Sequence, residues 1–146
     1  MRPLIILLFT TLGAVAPARS QDPILVSMIQ LISTPREFDG KRVIVTGFAR
    51  IEFEGNGLFF HKDDLDYGLV KNALWLVVPR GTESGWEKVS GGYALVEGTF
   101  SAQNTGHMGM YSGAIKDITR FQSLPRYVAP AASVPPNKSL ERTRER

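Results

Sequence analysis

The stretch Arg42-Val43-Ile44-Val45-Thr46-Gly47-Phe48-Ala49-Arg50-Ile51-Glu52-Phe53 constrains this chain more than any other part of it. It opens on β-branched residues and alternates after Thr46. Val43, Val45, Gly47, Ala49, Ile51 and Phe53 therefore share one face of a long strand. Gly47 brings no side chain to that face, and a glycine inside a strand marks a sharp bend or a bulge. The following Glu54-Gly55-Asn56-Gly57 contains Asn-Gly, the strongest short hairpin signal, so Leu58 to His61 is predicted to return antiparallel.

The same reading extends along the chain. Asp22-Pro23 reads as the start of a helix, Asp as N-cap and Pro at the first helical position. Leu25, Met28, Ile29 and Ile32 then form one apolar stripe. The residue before proline avoids the α region, so Thr34-Pro35 ends that helix, and Pro35 to Phe38 adds a turn of its own. Lys62 to Asn72 reads as a polar connection. Ala73 to Val78 is a third strand, apolar on both faces and therefore covered on both. Pro79 to Gly92 is a long polar loop or short helix. Tyr93 to Ala102 is a fourth strand, with Gly98 placed inside it as Gly47 is inside the first. Gln103 to Gly113 is a glycine-rich loop, and Ala114 to Phe121 a fifth strand. Ile115 and Ile118 fall on opposite parity, which predicts a bulge or a twist there. Five strands, two of them bent at glycines, predict an all-β fold with minor α: a five-stranded OB-like barrel with an N-terminal helix.

The segments TPREFDGKRVIVTGFARIEFEGNGLFF, NALWLVV, YALVEGTFSA and SGAIKDITRFQ resemble those of a family of small, exported, uncharacterised bacterial OB-fold proteins. The resemblance runs from about Val26 to Gln122 and implies the fold. It brings no settled activity with it. It also implies that the N-terminal helix packs against the barrel. GTESGWEKVSGG departs from the pattern, because it offers only a short helical candidate, around Trp86 to Val89, where an OB fold places a helix.

Composition settles what chemistry is available. Cysteine is absent, which excludes disulfides, thiolate metal sites and a cysteine nucleophile. Met1-Arg2, the apolar run Leu4 to Val15 and the small residues up to Ser20 have the anatomy of a secretory signal peptide, with cleavage expected after Ser20. The run is shorter than the about 20 residues a membrane helix needs, and no later stretch is long and apolar enough for one. The expected location is therefore periplasmic or secreted. The formal charge of +3 over all 146 residues is misleading. Residues 21–128, the predicted domain, hold 11 Lys and Arg against 12 Asp and Glu. Nucleic-acid binders rely on clustered cations to displace counterions, so nucleic acid is an unfavoured partner. The Pro- and Ala-rich basic segment 129–146 has almost no apolar content to offset ordering and reads as a disordered tail.

No nucleophile elbow, zinc-protease helix motif or phosphate loop occurs, and no catalytic residues are assigned. The most unusual local sequence is Thr105-Gly106-His107-Met108-Gly109-Met110-Tyr111-Ser112, in the loop that borders the ligand face of an OB fold. His107, Met108, Met110 and Tyr111, with Phe60 and Asn56, are the candidate ligand-binding residues. His107, Met108 and Met110, joined by His61, are soft enough donors for copper, whereas methionine as apolar filler is the plainer reading. Asp63, Asp64 and Asp66 form an acidic cluster without calcium-loop spacing. Glu52 and Glu54 sit on the outward parity of their strand. Phe48, Phe60, Trp75 and Tyr111 are the aromatics that could stack on a base or sugar. The sequence thus predicts a non-catalytic binding module for a protein, peptide or small ligand, with no cofactor. A His/Met copper-binding protein is the alternative and a single-stranded nucleic-acid binder the third reading.

Overall fold

In the computed structural model, which describes residues 22–79 and 81–128, the long strand forms as β2 (Arg42–Arg50). Its partners are β1 (Ile24–Leu25), β3 (Gly57–Phe59), β4 (Ala73–Leu76), β5 (Gly92–Ser101) and β6 (Ala114–Ser123). The sheet runs β1-β2-β3-β4-β6-β5, and β5 pairs back onto β2. That last pairing closes β2 to β6 into a five-stranded barrel, the all-β OB-like architecture expected from the sequence. Only β1–β2 and β4–β6 pair in parallel. Helices are short: α1 (Met28–Ser33), α2 (Pro35–Phe38), α3 (Lys62–Asp66) and α4 (Glu83–Trp86). No helix among the described residues is long and apolar enough to cross a membrane. The expected signal segment to Ser20 and the expected tail 129–146 lie outside the described residues.

The predicted parity holds along β2. Val43, Val45 and Ala49 are fully buried and Ile51 nearly so. They meet Leu58, Leu74, Leu76, Val96, Phe100 and Ile115 inside the barrel. A Cβ at Gly47 would stand 2.6 Å from the Phe59 carbonyl oxygen, 2.7 Å from Met28 Cε and 2.9 Å from Leu58 Cγ. Gly47 is thus the place where β3 and α1 press onto the wall. Gly98 does the same opposite β6, where a Cβ would come within 2.6 Å of Ile115 Cγ2 and 2.7 Å of the Lys116 carbonyl oxygen. The β5–β6 register slips between Glu97 and Thr99, with Asp117 at a φ of 48°. This is the irregularity expected between Ile115 and Ile118.

The structure corrects several boundaries. The first helix starts at Met28, not after Asp22, because Ser27 and Gln30 form a reciprocal capping box. Two orphan backbone donors satisfied at once outweigh an Asp-Pro start. Ile24 and Leu25 instead pair with Val43 and Ile44. The buried face of the helix is therefore Met28 and Leu31, and Ile29 is 58% exposed. Asn56-Gly57 is not the hairpin turn. Arg50 pairs with Gly57, and the chain reverses through Phe53 and Glu54, where Glu54 adopts a φ of 57°. Gly57 lies in β3 because a Cβ there would be 2.6 Å from the Phe59 ring and 3.2 Å from Tyr111. Phe53, expected on the inward face, lies beyond the end of β2 and is exposed. The polar connection contains α3, fixed by Asp64: its carboxylate accepts from the His61 N–H at 2.8 Å and from Asn72 Nδ2 at 2.7 Å. The connecting helix of the OB pattern is present as α4, continued by a 3₁₀ turn at Glu87–Val89.

Crowding at Gly47 is directly testable. Gly47→Ala is expected to destabilise by about 3 kcal/mol, since overpacking against backbone cannot relax. Gly85→Ala, in a helical turn with nothing within 4 Å, is expected to be neutral or stabilising by up to ~1 kcal/mol. Urea unfolding of the two variants checks the contrast.

Candidate functional site

The loop after β5 is held at both ends. Tyr111 N–H donates to the Thr105 carbonyl at 3.0 Å, and Ser112 N–H to that of Ala73 at 3.1 Å. Lys71 Nζ donates to the Gly109 carbonyl at 3.2 Å, and the Ser112 hydroxyl to the Lys71 carbonyl at 2.7 Å. Gly106 lies flat on Trp75, where a Cβ would be 2.6 Å from the indole Cγ. Behind this frame Tyr111 is buried edge-on against Trp75 at 5.2 Å and Phe59 at 6.4 Å. With Phe48 and Ala73 they make a second apolar cluster on the outside of the barrel, closed off by Leu65 and Val70. Burial, with the Glu52 charge adding to it, pushes the Tyr111 phenol above its usual range. The outer wall that OB folds offer to ligands is thus filled by the chain's own side chains.

The tip of the same loop is different. Met110 N–H donates to the His107 carbonyl at 3.2 Å. The two residues between them both have positive φ, 52° at Met108 and 72° at Gly109. This is the pattern of a type I′ turn, whose central positions belong to Gly, Asn and Asp. Methionine in the left-handed region costs on the order of 1 kcal/mol. Met108 is also 84% exposed, so packing does not compensate for the strain. Met110 is exposed and His107 half-buried.

The other sequence candidates fall elsewhere. Asn56 is a loop brace, its Oδ1 accepting from the Glu52 N–H at 3.1 Å. Glu52 is ion-paired with Arg50 at 2.7 Å. His61 begins α3 with Nδ1 3.2 Å from the Tyr93 hydroxyl, apart from the loop of His107. Among the described residues no group of three or more His, Asp or Glu could hold a metal ion, and Asp64 is committed to the α3 brace. Phe48 lies in the outer cluster and pairs with Phe59, whereas Phe60 packs on the barrel core. Phe48 and Phe60 thus belong to different clusters and do not pair across strands. Trp75 is a half-buried member of the outer cluster.

Sequence reasoning missed the surface around Phe60. A groove of about 690 Å³ is lined by Thr46, Gly47, Phe60, Tyr93 and the segment Leu124 to Tyr127. A second, of about 320 Å³, lies between α1 and the barrel and is lined by Ile29, Ile32, Ser33, Phe60 and Asn72. Phe60 lines both grooves, and the surface on either side of its ring is the Phe60 wall. Tyr93 is held on it by an edge contact to Phe48 at 5.5 Å and by His61. Tyr127 is 83% exposed there. Phe60, inside the predicted return strand Leu58 to His61, was the one visible signal.

No protein-family model matches the chain, and no curated protein or solved structure matches it.

The two ends of the loop are expected to respond in opposite directions. Tyr111→Ala should destabilise by roughly 3 kcal/mol, the scale of deleting a buried aromatic. Met108→Asn should stabilise by ~0.5–1 kcal/mol, because asparagine tolerates the left-handed region. Chemical denaturation of both variants tests this, and a neutral Tyr111→Ala would remove it from the core.

Proposed function

We propose that this chain is an exported, non-catalytic binding module that takes an extended apolar peptide segment of a protein partner on the wall centred on Phe60. The observation that carries this reading is the meeting of two grooves at Phe60, bordered by exposed Ile29, Tyr93 and Tyr127. Contiguous exposed apolar surface on a soluble domain marks an interaction site. Phe60 and Tyr93 are rigid aromatic side chains, the type that anchors interfaces at low entropic cost. The grooves are open, which suits an extended chain better than an enclosed small molecule. Arg126 is the one cation in the larger groove, too few for the counterion release on which nucleic-acid binding depends. The outer wall usual for OB ligands contributes nothing to this reading, because Tyr111 occupies it.

Site-specific photo-crosslinking in exporting cells tests the proposal. A crosslinker placed at Ile29 or at Tyr127 is expected to give the same adduct, and one at exposed Phe53 to give none. Ile29→Asp should weaken the purified complex about tenfold, the value of one apolar side chain moved off an interface. Adducts that differ between Ile29 and Tyr127, or that form equally at Phe53, would dismiss the wall as a single site.

A further inference from the structure

The His107–Met110 turn is left unexplained by packing and by the wall at Phe60. It contains a strained methionine pushed into solvent, a second exposed methionine and a histidine within four residues. We infer that this turn is a binding site for a soft monovalent metal ion, Cu(I) or Ag(I), held by His107, Met108 and Met110.

The turn type brings the donors together. The hydrogen bond that closes a tight turn holds the Cα atoms of its first and last residues within about 7 Å of each other. His107 and Met110 are those residues here, joined by the Met110 N–H to His107 carbonyl bond at 3.2 Å, with Met110 in the αR region. Met108 stands at the tip between them. A thioether is a weak, polarisable donor that selects d¹⁰ copper over zinc, calcium or magnesium, and imidazole also suits copper. The chain has no cysteine and four methionines in all. Met28 is sealed under Gly47, so the turn concentrates the exposed soft donors of the described residues. The turn is tied to the barrel: Lys71 Nζ donates to the Gly109 carbonyl, and Gly106 packs closely against Trp75. A strained residue kept by its surroundings rather than relieved is a mark of a functional position. Binding involves no electron transfer; the ion replaces solvent on two thioethers and one neutral imidazole.

This site is independent of the wall at Phe60, and its test is separate. The exported chain, labelled with ¹³C at the methionine methyls, is titrated with Ag(I), the redox-inert counterpart of Cu(I). The Met108 and Met110 methyls are expected to shift at one equivalent while Met28 stays in place as the internal folding control. Met108→Leu/Met110→Leu and His107→Ala should each weaken Ag(I) binding at least tenfold, with the Met28 resonance unmoved. Zn(II) should shift neither methyl. Met108→Asn should lose affinity although the fold gains stability, which separates a ligand role from a structural one. Unshifted Met108 and Met110 methyls at saturating Ag(I), or parental affinity in the double leucine variant or in His107→Ala, would overturn the proposal.

Discussion

The barrel depends on one crowded contact, the seat of Met28 and β3 on Gly47. With any side chain at that position, the Phe59 carbonyl, Leu58 and the tip of Met28 could not all approach. Their approach lets β2 serve three partners at once, β1 and β3 in series along one edge and β5 along the other. Gly98 plays the same part on the neighbouring strand β5, admitting the irregular stretch of β6. Closing a small sheet needs its strands to coil strongly, and glycines and bulges are the positions where coiling is concentrated. The two glycines therefore set the shape, and the apolar residues around them fill it.

Closure has a consequence for the surface. Strand β4 sends Leu74 and Leu76 inward and Ala73 and Trp75 outward, and both sets need cover. The inner set has the barrel. The outer set is covered by Tyr111, carried on the loop that in other OB folds stays free to meet a ligand. Covering that face moves the remaining exposed apolar area to the other side of Phe48, onto Tyr93, Phe60 and α1. Phe59 and Phe60 mark the division, since adjacent strand residues point to opposite faces. One ring goes to the loop-covered cluster and the other to the open wall.

What was legible in the sequence follows from what is local. The parity of β2, the double cover of β4, the irregularity in β6 and the two glycines could be read because each is a property of consecutive residues. The start of α1 was readable in principle from Ser27-x-x-Gln30, but Asp22-Pro23 gave a competing signal. Asn56-Gly57 misled because Gly57 is needed for the space under Phe59 and Tyr111, a tertiary demand that a turn motif does not reveal. The wall at Phe60 draws on α1, β2, β5 and the segment after β6, and no local pattern joins them. The candidate loop was found by its composition, yet its two halves separate only in three dimensions. Tyr111 turns in to the core and Met108 turns out in a backbone state that methionine does not announce. The flanking Gly106 and Gly109, both at positive φ, were the available hint of such a turn.

Because the chain has no cysteine, packing has to provide the durability that disulfides give many other small domains. Surface ion pairs are a weak substitute. Glu97 receives Arg42 at 2.9 Å and Arg120 at 3.3 Å, and its carboxyl is held below the ordinary range, first by the Arg42 hydrogen bond. A carboxylate depressed in the folded state stabilises above its unfolded pKa, and that contribution fades as the pH falls through the folded value. Glu97 is only partly buried, however, and a pair that water still reaches is worth little after screening. Overpacking Gly47 or emptying the Tyr111 site removes contacts that neither salt nor pH restores. The fold is therefore expected to respond weakly to acid and strongly to single changes of volume at Gly47, Gly98 and Tyr111. That response leaves the charged outer residues free to vary, and it places the tolerance of the domain in the same contacts that decide which of its faces stays open.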